Sequence, residues 1–507
     1  MKLNIKNIIL CSSIALAAGL SSCVDDLNVT PINPQVQQEF DQQAVFTKIY
    51  ATLGFTGMRG PDGNGDLNAM GIDEGKSAFY RMMWDFNELP TDEAHCCWGD
   101  VGIPEMNYAQ WTSSHTFVQG LYYRLFFDIT LCNHFLEMTE SISDAETVKQ
   151  RAEVRFIRAL NYFYLLDLYG NVPLVTEVLD EPPLQSTRAE LFNFVETELQ
   201  AIPNDMSEPR TSAYGRADRA AAWLLLARLY LNAEVYIGQN RYNDASTYAD
   251  MVMKTSYELC PNYQHLFMAD NDVAGGVNRA MQEIILPIRQ DGNKTQSYGG
   301  SFFLIAATHT SGMPDWGSID GWGGIRARKA LSDKFTGSDD RFIFYTEGRN
   351  PIITNTSAFT DGYSVTKWTN LRADGGAVSD EKFPDTDIPF FRLAEAYLTY
   401  AEAQMRMGNE PEARRVVNDL RIRANASTFP VVSLDIILDE WCREFYFEGR
   451  RRMDLIRYNR FGGTTDYNWD WKGGSANGTT FESKYNILPI PASELNANPN
   501  LVQVAGY

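Results

Sequence analysis

The 507-residue chain has little of what metal and redox chemistry need: five histidines and seven cysteines. His95, His115, His134, His265 and His309 are dispersed, and neither a Cys-x-x-Cys nor a His-Glu-x-x-His run occurs, which argues against zinc. Cys11 and Cys23 fall in the N-terminal segment. Cys96, Cys97, Cys132, Cys260 and Cys442 are too few and scattered for a disulfide framework, and a bridge between adjacent Cys96 and Cys97 would be strained. Most of these five read as small buried hydrophobes. Positive charge is also scarce. Lysine plus arginine number 44 against 65 acidic residues, a formal net charge of −21 that repels nucleic-acid phosphates. After residue 22 no apolar run is long enough to span a bilayer. The "DEGKS" stretch is no phosphate loop, because Met70 stands where its first glycine belongs and no apolar strand precedes it. "DGNGD" opens like a calcium loop, but Leu67 replaces the required glycine and Asp73 the final glutamate, so it reads as a turn.

What is present begins with a targeting signal. Lys2 and Lys6 precede an apolar stretch from Ile8 to Leu20, the pattern of a signal peptide over residues 1–22. Leu20-Ser21-Ser22-Cys23 looks like a bacterial lipobox, so Cys23 is expected to carry lipid, with residues 23–37 as a polar, proline-broken tether. The membrane is then reached through the lipid alone.

Residues 38–507 read as one mainly α domain. Helical pattern predicts segments at Gln38–Leu53, Ala145–Tyr169, Arg188–Ala201, Arg216–Ala233, Tyr242–Lys254, Phe391–Met407, Glu410–Arg423 and Leu434–Tyr458. Trp223, Leu226, Ala227 and Tyr230, then Ala245, Ala249 and Val252, fit a degenerate tetratricopeptide-like hairpin; Tyr397, Tyr400, Ala401, Ala413, Val417 and Leu420 fit a second. Such hairpins leave an apolar face open and must stack. The helical repeats fall mainly in 38–260 and 390–460. Irregular insertions, rich in glycine, tryptophan and tyrosine, are expected at about 54–110, 268–384 and 460–507, and loops on a rigid frame are a common place for binding sites.

"REFYFEGRRRMDLIRY" (443–458) is a dense arginine cluster in an acidic chain. On a continuous helix Glu448 would face Arg451 and Arg452, and Glu395 and Glu402 would share one face of the earlier helix. The apolar neighbours Ile437, Trp441 and Phe445 place these charges at a packed helix interface, so they are read as structural locks with no catalytic role.

"FRLAEAYLTYAEA" followed by "REFYFEGRRRMDLIRY" resembles the SusD/RagB family of outer-membrane lipoproteins, and "DEGKSAFYR", "NELPTDE", "MQEIILPIRQDG" and "WDWKGG" extend the likeness to the family's starch-binding prototype over nearly the whole chain. The resemblance implies a tetratricopeptide-like helical scaffold with an irregular ligand-binding half. It implies a non-enzymatic surface protein that binds starch or a related α-glucan and passes it to a SusC-like TonB-dependent transporter. It implies stacking by Trp98, Tyr298 and Trp322, hydrogen bonding by Asp73 and Arg81, and a shortened loop that leaves Asp100 or Val101 where the prototype has asparagine. Cys96 stands where the prototype has a second tryptophan, which leaves the preferred linkage open, dextran included. No cofactor is required. A structural calcium at Asp272, Asp385 and Asp387 is implied; the same aspartates also read as turn and capping residues in "DTDIP". Two rival readings stand beside this one: a glycan-active enzyme, which would need two carboxylates about 5–10 Å apart around the scissile bond, and an assembly lid for a peptide or another glycan.

Overall fold

The computed structural model describes residues 40–57, 60–68, 71–177, 179 and 181–507. The signal peptide, Cys23 and the tether lie outside the described residues. By contacts the chain divides at Val45/Phe46, and residues 46–507 form one unit.

Its frame is a run of antiparallel helices. Thr116–Met138 packs on Ala145–Leu168, which packs on Arg188–Ala201; Arg219–Leu231 packs on Tyr242–Met253; Leu393–Arg406 packs on Glu410–Arg423. The two hairpins legible in the sequence are stacked directly, because Tyr242–Met253 lies against Leu393–Arg406, and the 139 residues between them by number, 254–392, loop out. Helix starts are set locally. Asp144 accepts from the Glu146 and Thr147 N–H groups, Thr187 and Glu190 form a capping box, and Asp218 accepts from Ala220 and Ala221. Arg219–Leu231 is buried on nearly every side, as expected of a central helix that is apolar around its circumference.

Among the described residues, three two-stranded antiparallel sheets organise the insertions. Ile284–Ile288 pairs with Ile388–Arg392, so the longest insertion leaves and returns through one ladder. Ala94–Cys96 pairs with Ile325–Ala327.

The structure corrects several expectations. The 54–110 stretch is not wholly irregular: it holds the helices Phe79–Glu88 and Ile103–Tyr108, and the later insertion holds Ser301–Thr308. All ten residues of Phe79–Glu88 are buried, so no polar face marks the helical period. The arginine-rich segment is two helices, Leu434–Phe445 and Arg451–Arg457. Between them Phe447 and Gly449 take positive φ (60° and 78°), and the Glu88 carboxylate accepts the Gly449 and Arg450 N–H groups at 2.6 and 2.9 Å. The break cancels the expected Glu448–Arg451 pairing. Arg451 instead forks onto Asp92 (2.7 and 2.9 Å), and Glu448 takes Arg392 and Lys367 (2.8 and 2.7 Å). The structural role of the cluster stands. Glu395 holds Arg228, Glu402 holds Arg457, Glu444 holds Arg392 and Arg341, and all of these groups are buried.

Candidate functional site

The two-strand ladder 94–96/325–327 positions the site. Its register pairs Cys96 with Ile325, and the Cys97 N–H continues it by donating to the Gly324 carbonyl (2.9 Å). Just beyond, one residue on from Cys97 and two before Gly324, stand Trp98 and Trp322, with ring centroids 6.2 Å apart and planes at 64°. Trp322 is pinned by its N–H to the Ala306 carbonyl (2.7 Å) at the end of Ser301–Thr308. Tyr298 lies 6.2 Å from Trp322 at 43°. Buried Phe302 and Phe383 back both rings. Lys382 donates to the Tyr298 hydroxyl (3.3 Å).

The opposite wall comes from residues 73–81. Buried Glu74 accepts from the Ser297 hydroxyl (2.7 Å) and the Tyr298 N–H (3.1 Å), which ties this segment to the aromatic wall. Two glycines permit the fit. A Cβ at Gly75 would lie 2.7 Å from the Tyr298 Cβ, and one at Gly324, where φ is +102°, 2.0 Å from the Trp98 indole nitrogen.

All six residues picked from the sequence (Asp73, Arg81, Trp98, Asp100, Tyr298 and Trp322) line this one open cavity of about 370 Å³. Asp100, not Val101, is the member from the shortened loop. Cys96 is buried in the strand, its N–H on the Asn107 side chain (3.0 Å), and does not line the cavity. Sequence reasoning missed Lys76, Gly75 and Ile103. Lys76 bridges the two acids, 3.3 Å from Asp73 and 3.6 Å from Asp100. Its signal was the "DEGKS" stretch, set aside once the phosphate-loop pattern failed.

Arg81 carries the polar chemistry. It is 5% exposed, its guanidinium lies 4.4 Å above the Phe303 ring, and its Nε has no hydrogen-bond acceptor. Asp85, one turn on, is also short of partners: its Oδ2 is orphaned, and burial, partly offset by Arg81, pushes the carboxyl up to about 7. A buried guanidinium at a cavity wall with unfilled donors fits ligand hydroxyls. Lys76 and Arg81 balance Asp73 and Asp100, so the cavity suits a neutral ligand with apolar faces. Asp73 and Asp100 are exposed and share one lysine.

Of the three aspartates of the calcium expectation, Asp272 lies within electrostatic reach of both Asp385 and Asp387 and pairs with Arg289 at 3.3 Å. Asp385 accepts from the Gly292 and Ser379 N–H groups (2.9 and 2.7 Å) and from the Ser379 hydroxyl. Asp387 is buried and accepts the Gln290 N–H at 2.5 Å, while its Oδ2 has only the nearby Tyr214 hydroxyl to turn to. Burial, with Asp272 nearby, pushes Asp387 up to about 8. Among the described residues no three His, Cys, Asp or Glu side chains form a metal-ligating group. Clustered carboxylate oxygens at Asp272, Asp385 and Asp387 are what a hard cation would satisfy.

Helical hairpins that hold an aromatic, charge-balanced cleft have the form of a binding scaffold. Comparison with known proteins makes this specific. Residues 338–507 match the SusD family model, and residues 77–231 match a model described as "Starch-binding associating with outer membrane"; neither is an enzyme family. The chain is 46% identical to the starch-binding protein SusD of Bacteroides thetaiotaomicron, covering 97% of each, and 26% identical to a SusD-like protein of Bacteroides ovatus over 80% of this chain and 79% of that one. Among solved structures, a SusD-like protein from Bacteroides fragilis aligns with TM-score 0.71 at 19% identity, covering 94% of this chain and 100% of that one. A surface glycan-binding protein A from Bacteroides thetaiotaomicron, solved with laminarihexaose, aligns at 0.70 and 19%, covering 91% and 98%. The chain belongs to the SusD family.

Proposed function

We propose that the chain is a glycan-binding protein that takes a starch-type α-glucan in the Trp98–Tyr298–Trp322 cleft and delivers it to a TonB-dependent transporter of the outer membrane. The observation that carries the reading is the convergence of three chain segments, 73–81, 98–100 and 298–322, on one charge-balanced cavity with rings set at successive angles. Rings tilted against one another present an arc, which suits a curved chain whose C–H faces pack on them while Arg81 and Asp73 take hydroxyls. The name of the 46% identical relative, a starch-binding protein, supports the same ligand class. Affinity electrophoresis in gels containing starch, dextran, pullulan or levan tests it. Retardation by starch and pullulan is expected; retardation by dextran alone moves the ligand to an α-1,6 glucan, and by levan alone or by none overturns the reading. A calcium ion at Asp272, Asp385 and Asp387 belongs to the same proposal. It predicts a melting temperature lowered by chelator and restored by calcium; indifference to both removes the ion.

The anchor is proposed on sequence grounds: Cys23 carries lipid and holds the protein at the outer surface. Cys23→Ala is expected to move the protein from the membrane fraction to the soluble periplasmic one, and unchanged fractionation overturns the anchor.

A further inference from the structure

A second cavity of about 440 Å³ lies outside the aromatic cleft. It is lined from Thr116–Met138, from the described residues Pro173, Val175, Glu177, Leu179 and 181–183, and from the short helix Ala492–Ala497. Its lining is largely apolar, with the Tyr122 and Phe126 rings 4.7 Å apart and tilted at 43°, and with Pro182 and Pro183 also on the wall. The walls are tied to one another. Asn498 donates to the Pro183 carbonyl (2.8 Å), Asn500 to the Pro182 carbonyl (2.9 Å), and Tyr123 shares a hydrogen bond with Ser493 (2.9 Å). The cavity therefore does not depend on a ligand to hold it open.

Two further observations say what it takes. Glu177, Glu181 and Glu494 line it, none is in an ion pair among the described residues, and no described lining residue is basic. Elsewhere the protein's carboxylates are heavily paired with arginine. Glu494 has the neutral Tyr123 hydroxyl beside it. The second observation is the surface beside the cavity. Leu184 and Val502 are 75% and 72% exposed, and the chain segments that carry them meet where the Gln185 side chain hydrogen-bonds both the N–H and the carbonyl of Val502 (3.0 Å each). An apolar floor continued by exposed aliphatic side chains is the character of a protein-docking surface more than of a small-molecule pocket.

We propose that this cavity docks a basic peptide segment of a partner protein, one apolar side chain entering between Phe126 and the Pro182–Pro183 wall while flanking lysines or arginines meet Glu177, Glu181 and Glu494. The acidic N-terminal stretch of this chain, "VDDLNVT", has the wrong charge to be the occupant. The cleft for glycan and this cavity share no lining residue, so the two proposals fail independently.

The test uses the full mature chain and a labelled, acetylated and amidated peptide, Lys-Leu-Lys-Phe-Lys-Leu, followed by fluorescence anisotropy. Binding is expected, and it should weaken about tenfold or more in the Glu177→Gln/Glu181→Gln/Glu494→Gln variant and on raising salt from about 50 to 500 mM, as neutralising three surface charge pairs implies. A peptide with serine for leucine and phenylalanine should bind at least tenfold more weakly, and one with glutamate for lysine not at all. Glycan retardation should be unchanged in the triple variant, which also confirms its folding. No binding up to millimolar peptide, equal binding by the triple variant, or equal binding of the glutamate peptide overturns the proposal. So does a maltooligosaccharide that displaces the peptide competitively, since that makes the cavity a second sugar site.

Discussion

Trp98→Ala combined with Trp322→Ala is expected to nearly abolish α-glucan binding in a protein that still folds. Each ring covers apolar sugar faces worth about 1–2 kcal/mol by the area rule, roughly five- to thirty-fold in affinity. The two indoles also touch one another at 6.2 Å, so removing one loosens the support of the other, and the pair is expected to couple rather than add. Neither ring is fully buried, and the Phe302–Phe383 layer behind Trp322 remains in place, so the fold has little reason to fail. Calorimetry with a linear or cyclic maltooligosaccharide measures the loss, with the melting temperature as control. Wild-type affinity in the folded double variant would show that the cleft is not the site. Arg81→Ala should weaken binding as well, through lost hydroxyl contacts. Because the ligand is neutral, wild-type affinity should barely respond to salt. That indifference separates the cleft from the glutamate-lined cavity, where salt dependence is expected.

The largest stability effect is expected at Arg451. Its guanidinium is 1% exposed and forks onto Asp92 at 2.7 and 2.9 Å, with a third donor on the Leu438 carbonyl (2.9 Å). Arg451→Ala leaves a buried carboxylate with only Tyr467 (2.6 Å) and the more distant Lys334 (3.5 Å), and should cost roughly 3 kcal/mol. Denaturant unfolding measures it. The pH dependence gives the mechanism a signature. Burial alone would raise the Asp92 pKa, but Arg451 and Lys334 hold it well below the ordinary carboxylate value. A depressed folded-state pKa gives stability that is present above about pH 4 and lost as pH falls toward the folded value. The wild-type advantage over Arg451→Ala should therefore be greatest near neutral pH and shrink on acidification. Glycan affinity of the folded fraction should not change; loss of binding at an unchanged melting temperature would make Arg451 a ligand residue instead.

The sequence and the structure agree where structure is local. Asp144 before an apolar-periodic run, the Thr187–Glu190 box and Gly170 after the last helical turn each act within a few residues, so those helix limits were readable to within a residue or two. Phe79–Glu88 escaped because burial on every side erases the polar face that makes a helix visible. The break at Phe447–Gly449 escaped because its cause is Glu88, some 360 positions away in the chain. The six cleft residues were named through resemblance and not through spacing; no periodicity links position 73 to position 322. Lys76 was visible as a charge but had no role until Asp73 and Asp100 were seen on either side of it.

By itself the sequence determined the class: an acidic, mainly α chain of stackable hairpins with aromatic, glycine-rich insertions, and an arginine cluster that had to be neutralised inside. These follow from composition, from short-range periodicity and from the cost of burying unpaired charge. Only the tertiary structure decided which carboxylate each arginine takes, that Tyr242–Met253 meets Leu393–Arg406 across a looped-out insertion, and that the Cys96–Ile325 register sets Trp98 beside Trp322. Such pairings join residues hundreds of positions apart, and which of many equivalent partners meet is fixed by packing, which no local pattern encodes.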